Sequence, residues 1–142
     1  MDAGSALIVA ERHCGGATLI SNNISLILMV TGAVTMLPIL QFLFTAQFLN
    51  ALNKIVIRDE AGLFFARHWG MLAFVMGGLM FYAASHPEAR AAIMGAALIE
   101  KAALVMMIAL HWNRPFAKGF AVTALFDGVC CVIFALYLAG AA

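Results

Sequence analysis

The chain has 142 residues, 65% of them hydrophobic and only 11% charged, with a net charge of +1. Soluble domains run at roughly 45–50% apolar and about 25% charged residues, so this composition excludes an ordinary water-soluble fold and points to the lipid bilayer as solvent. A near-zero net charge also excludes the basic footprint of a nucleic-acid binder.

Met1 to Asn22 is read as a retained tail, in the form of a short interfacial helix. Asp2 and Glu11 interrupt it, and the apolar stretch from Ala6 to Ala10 is shorter than the roughly 7–15 residues of a signal peptide's apolar core. The first spanning segment is expected over about 24–50, with no charge between Arg12 and Lys54. It is longer than a ~30 Å hydrocarbon core requires, so it must tilt, kink or protrude. Pro38 lies mid-segment and removes one backbone donor, which predicts a kink there.

A second segment is expected over about 62–84, with Asp59 as N-cap and Glu60 in its first turn. Ser85 and Glu88 have the spacing of a capping box, and Pro87 suits the first turn of a third segment over about 87–111. Asn113-Arg114-Pro115 repeats that cap-plus-proline logic and opens a fourth segment over about 116–139. The expected fold is all-α: a polytopic membrane protein, one integral membrane domain built as a four-transmembrane-helix bundle. Arg12 and Arg90 fall on one side of it, against Lys54, Arg58, Arg67, Arg114 and Lys118 on the other. The positive-inside rule then puts both termini outside the cytoplasm, in a bacterial inner membrane.

Three charges interrupt the apolar spans near their midpoints: Glu100 and Lys101 in the third segment and Asp127 in the fourth. Charges at that depth cost roughly 2.5–3.5 kcal/mol each on insertion scales and mark functional positions, so these three are the candidate catalytic residues. Antiparallel third and fourth helices put them at similar depth, which predicts a Lys101–Asp127 pair. Glu100, about 100° around the helix from Lys101, is expected to face elsewhere in the bundle and to need a donor or a proton. A purely structural ion cluster that fixes helix register is the competing reading.

Trp69 and Trp112 read as an interfacial belt, and Arg67 and Arg114 as anchors to the headgroups. His111 continues the Glu100 face through Leu104 and Met107. His68 shares a face with Met71, Leu72, Val75, Leu79 and Tyr82, where an interhelical hydrogen bond is the simplest role. Gly70, Ala73, Gly77 and Gly78 form a small-residue stripe that predicts close helix approach. Gln41 and Gln47 are further candidates for the bundle interior. The nine methionines suit adaptable packing. Cys14, Cys130 and Cys131 match neither a metal-ligand spacing nor a disulfide framework, and no metal site is expected. No nucleotide loop, HExxH, CxxC or nucleophile elbow occurs.

Arg67-His68-Trp69-Gly70 opening a glycine-rich helix, followed by the His86-Pro87-Glu88-Ala89-Arg90 turn, resembles small bacterial membrane proteins of the DoxX-like kind. That resemblance implies accessory work in a membrane redox system, with a homo-oligomer or another membrane protein as partner. Ala66-Arg67-His68 with Gly70 is also similar to the start of the second helix in four-helix styrene oxide isomerases, whose histidine there binds haem. This second likeness implies His68 as a cofactor ligand, although those enzymes' polar substrate-contacting residues have no clear match here. Two functional readings follow. One is a non-catalytic accessory or partner-binding subunit. The other is a membrane-embedded enzyme or cofactor binder, isomerase-like, using His68, Glu100 and Asp127 on a lipophilic substrate.

Overall fold

The computed structural model describes the backbone of residues 3–140 and the side chains of residues 19–140. It is all-helical, with no strand among the described residues. Helix α1 (Ala3–Met36) is followed by two short pieces, α2 (Ile39–Leu43) and α3 (Thr45–Phe48), and a π-helical turn at Leu49–Asn53. Then come α4 (Glu60–Ser85), α5 (Pro87–Leu110), the single turn α6 (Pro115–Lys118) and α7 (Ala121–Leu138). Four helical stretches are long and apolar enough to cross a membrane: Leu19–Leu43, Glu60–Ser85, Pro87–Leu110 and Ala121–Leu138. The chain is thus a helical bundle of the multi-pass membrane type.

The local signals that open the helices act unevenly. The Asp59 side chain accepts from the Gly62 amide at 2.6 Å, the N-cap expected of it. Pro87 and Pro115 both sit in first turns, where a missing N–H costs nothing. The Ser85–Glu88 capping box does not form. The N-cap is His86, whose side chain makes no cap bond, and Ser85 Oγ instead donates back to the Tyr82 carbonyl at 3.2 Å. The fourth span begins at Ala121, later than expected, because the chain turns at Gly119-Phe120.

The first segment departs most from a single kinked helix. The chain turns at Leu37-Pro38 and breaks again at Phe44, which no glycine or proline marks. Of the N-terminal tail expected over 1–22, the side chains up to residue 18 lie outside the described residues, and the helical backbone of α1 runs from Ala3 without a break to Met36.

Helix α1 packs mainly on α4, and α5 on α7, while α1 and α7 touch lightly. The α1–α4 contact is made backbone to backbone. A Cβ on Gly77 would lie 2.7 Å from the Gly32 carbonyl oxygen, and one on Gly32 would lie 2.8 Å from that of Gly77. Gly70 similarly meets the Pro38 carbonyl, so the stripe on α4 receives both α1 and the break that follows it. Gly78, by contrast, faces open space.

The bundle has two unlike halves. Toward the α4–α5 turn, Leu28, Met80, Ala83, Met94, Ala97 and Phe134 interlock in a filled core. Arg90 closes that end by donating to the Ala83 and Ala84 carbonyls at 3.2 and 3.0 Å and to Ser25 Oγ at 3.1 Å. Toward the other end, below the break in the first segment, the helices leave a cavity.

Candidate functional site

The cavity has a volume of about 430 Å³ and lies between α1–α2 on one side and α5 and α7 on the other. Small-molecule sites typically span roughly 300–1,000 Å³. Its lining is mostly apolar, and Phe48, Trp69, Phe120 and Phe126 supply aromatic walls. Leu52 and Val122 stand at an exposed rim, where α7 and the first segment part, and Val122 is 81% exposed. The far wall is closed by Asn53 Nδ2 donating to the Gly119 carbonyl at 3.2 Å. Gly119 packs so tightly on the Asn53 carbonyl that it has no room for a side chain.

Glu100, Lys101 and Asp127 all line this cavity. The Lys101 ammonium donates to Asp127 Oδ1 at 2.6 Å, across the α5–α7 interface. Both residues are deeply buried, at 2% and 3% exposure. Ala97 and Cys130, one turn away, belong to the filled core, so the pair stands at the boundary between the packed half and the open half. The Phe126 ring centroid lies 5.5 Å from the same ammonium.

Glu100 does not face elsewhere. Its Oε2 is 3.9 Å from the Lys101 ammonium, at the cavity's edge, with a side chain 31% exposed. A 100° offset between neighbours is spanned here because lysine carries its charge on a long flexible stem. The contact is electrostatic and too long for a hydrogen bond.

Among the described residues, two buried side-chain polar atoms lack a hydrogen-bond partner: Glu100 Oε2 and Thr35 Oγ1. Both residues line the cavity. Thr35 is 7% exposed and belongs to the last turns of α1, on the wall opposite Glu100. Thr31, one turn earlier, satisfies itself by donating to the Ile27 carbonyl at 2.7 Å, and Thr45 does the same to Gln41 at 2.8 Å. Thr35 is the exception. Buried polar groups are nearly always paired, so these two orphans, on residues that line the cavity, are exceptions.

The other candidates distribute as follows. Gln41 is buried, its Nε2 donating to the Ala66 carbonyl at 2.6 Å and thereby tying α2 to α4. Gln47 is exposed, since the second break turns α3 so that Thr45 and not Gln47 points inward. Trp69 is half-buried: it lines the cavity and meets the Phe120 ring edge-on at 6.4 Å. Trp112 is exposed. Arg67 donates to Thr45 Oγ1 at 3.3 Å, while Arg114 is an exposed N-cap of α6.

His68 is exposed on α4, on the same outward face as Leu72, Val75, Leu79 and Tyr82, and it does not line the cavity. The residues therefore do not fit a haem seated with the charged centre, and His68 is not brought together with Glu100 and Asp127. No three His, Cys, Asp or Glu side chains converge on a metal position among the described residues. Thr35, Asn53 and Thr123 join the site although a reading centred on charge passes over them. The threonine and glutamine spacing along the first segment, Thr31, Thr35, Gln41 and Thr45, was the available signal.

Comparison of the chain with known proteins finds no matching family model, no matching curated protein and no matching solved structure.

Proposed function

We propose that this chain is a multi-pass protein of a bacterial inner membrane that binds a small lipophilic molecule in the cavity at its charged centre. The observation that carries this reading is one largely apolar cavity of about 430 Å³ whose lining holds all three charges of the apolar spans, Glu100, Lys101 and Asp127. A pure packing role accounts for the Lys101–Asp127 pair, which fixes the register of α5 on α7. It leaves the cavity without a reason. The exposed rim at Leu52 and Val122 supplies a lateral way in for a molecule dissolved in lipid.

Presentation of that molecule within a larger membrane assembly follows from the same reading, and accommodates the accessory-subunit role that a DoxX-like resemblance implies. Among the described residues, a Cβ on Gly78 or Gly95 would meet nothing within 4 Å, which supports contact with a second copy or another membrane protein. The basic bias of the loops supports both termini outside the cytoplasm. The cavity then opens in the cytoplasmic half of the bilayer.

Thr123→Trp would fill the cavity from α7. The wild-type protein, purified in mild detergent and extracted with organic solvent, should yield a lipophilic species near one per chain by mass spectrometry. That species should be missing from the Thr123→Trp protein. The same set of molecules in both extracts would overturn the reading.

A further inference from the structure

Resting on the cavity reading above, we propose that the ligand is a lipophilic monocation, an ammonium carrying a compact apolar group. The cavity's charges do not balance. Two carboxylates, Glu100 and Asp127, face one ammonium, Lys101, and no other charged side chain lines the cavity. Lys101 is committed to Asp127 at 2.6 Å, while its 3.9 Å approach to Glu100 leaves Oε2 without a hydrogen bond. One negative charge is therefore left over at the edge of a largely apolar cavity, where a counter-charge is favoured.

The rest of the lining fits a soft organic cation better than the alternatives. Phe48 of α3, Trp69 of α4, and Phe120 and Phe126 at the start of α7 come from three different parts of the chain, and aromatic faces attract a cation that has shed its water. An inorganic cation such as calcium would need roughly six to eight converging oxygens, whereas no three His, Cys, Asp or Glu side chains converge on a metal position among the described residues. An anion would meet the surplus negative charge. A proton on Glu100 would also balance the site, and would leave a neutral cavity with no preference for charge. That difference is measurable.

The Trp112→Phe protein keeps Trp69, on the cavity wall, as its single tryptophan. Its fluorescence in nonionic detergent is titrated with benzyltrimethylammonium and, separately, with neopentylbenzene, the uncharged isostere. The cation should change Trp69 emission saturably, and bind at least about tenfold more tightly than the isostere, a difference of about 1.4 kcal/mol, since a desolvated cation is drawn both to the aromatic faces and to the surplus carboxylate. Glu100→Gln in the same background should remove that preference. Equal binding of the two probes would overturn the cationic ligand while leaving the lipophilic cavity standing. Binding of neither would overturn both. A preference that survives Glu100→Gln would overturn the assignment to Glu100. The two probes are compared with Glu100 intact, so their ratio decides the charge preference even where the glutamine variant folds poorly.

Discussion

At the scale of single residues, burial and pairing divide the three central charges into two kinds. Lys101 and Asp127 satisfy each other at 2.6 Å; removing Lys101 strands the buried Asp127 carboxylate, and removing Asp127 leaves Lys101 with only the Glu100 carboxylate, 3.9 Å away and not hydrogen-bonded. Lys101→Met or Asp127→Leu alone should therefore cost about 3–5 kcal/mol, seen as reduced accumulation in the membrane and a lowered unfolding temperature. The double replacement should recover most of it. Glu100 differs because its buried oxygen makes no hydrogen bond that could be lost. Glu100→Gln should leave the unfolding temperature close to that of the wild type, and a loss as large as that of Lys101→Met would place Glu100 in the structural pair. The glutamines supply a parallel contrast. Gln41→Leu removes the bond to Ala66 and should cost about 1 kcal/mol, whereas exposed Gln47→Leu should cost nothing measurable in the same denaturation experiment.

At the scale of helices, the α1–α4 interface depends on two glycines that touch through their backbones. Gly77→Leu should abolish assembly of the bundle, because the Gly32 carbonyl and the Met36 amide are backbone atoms that cannot step aside. Gly78→Leu, one position along and facing open space, should be tolerated in the same expression and thermal-stability assay. Equal tolerance at both positions would show that the close contact does not hold α1 on α4. Sequence alone marked this stripe but not the helix that it meets, since the partner, Gly32 of α1, is set by how the whole bundle assembles. The limits of the first segment were hidden for a similar reason. Pro38 announces one break through its missing donor, but Phe44 carries no local signal, and the break there follows from how α2 and α3 seat against α4.

At the scale of the whole molecule, the bundle is packed at one end and open at the other, with the Lys101–Asp127 pair at the boundary. The four spans and the depth of the charges were legible because hydropathy and proline-headed turns are local features. The cavity was not, because it arises where the broken first segment parts from α7, and no one stretch of sequence contains both walls. A reporter fused at Ala142 should behave as extracytoplasmic, and a cytoplasmic signal from an intact protein would invert the proposed orientation. In the proposed function the charged centre serves a ligand as well as the packing of α5 on α7. The Glu100→Gln variant separates these two roles, since it removes the surplus carboxylate charge and leaves the Lys101–Asp127 pair in place. Its unfolding temperature and its occupancy by the co-purifying lipophilic species should be measured on the same preparation. Near wild-type stability with the bound species lost is the expected outcome, whereas wild-type stability with full occupancy would show that the charged centre is packing alone.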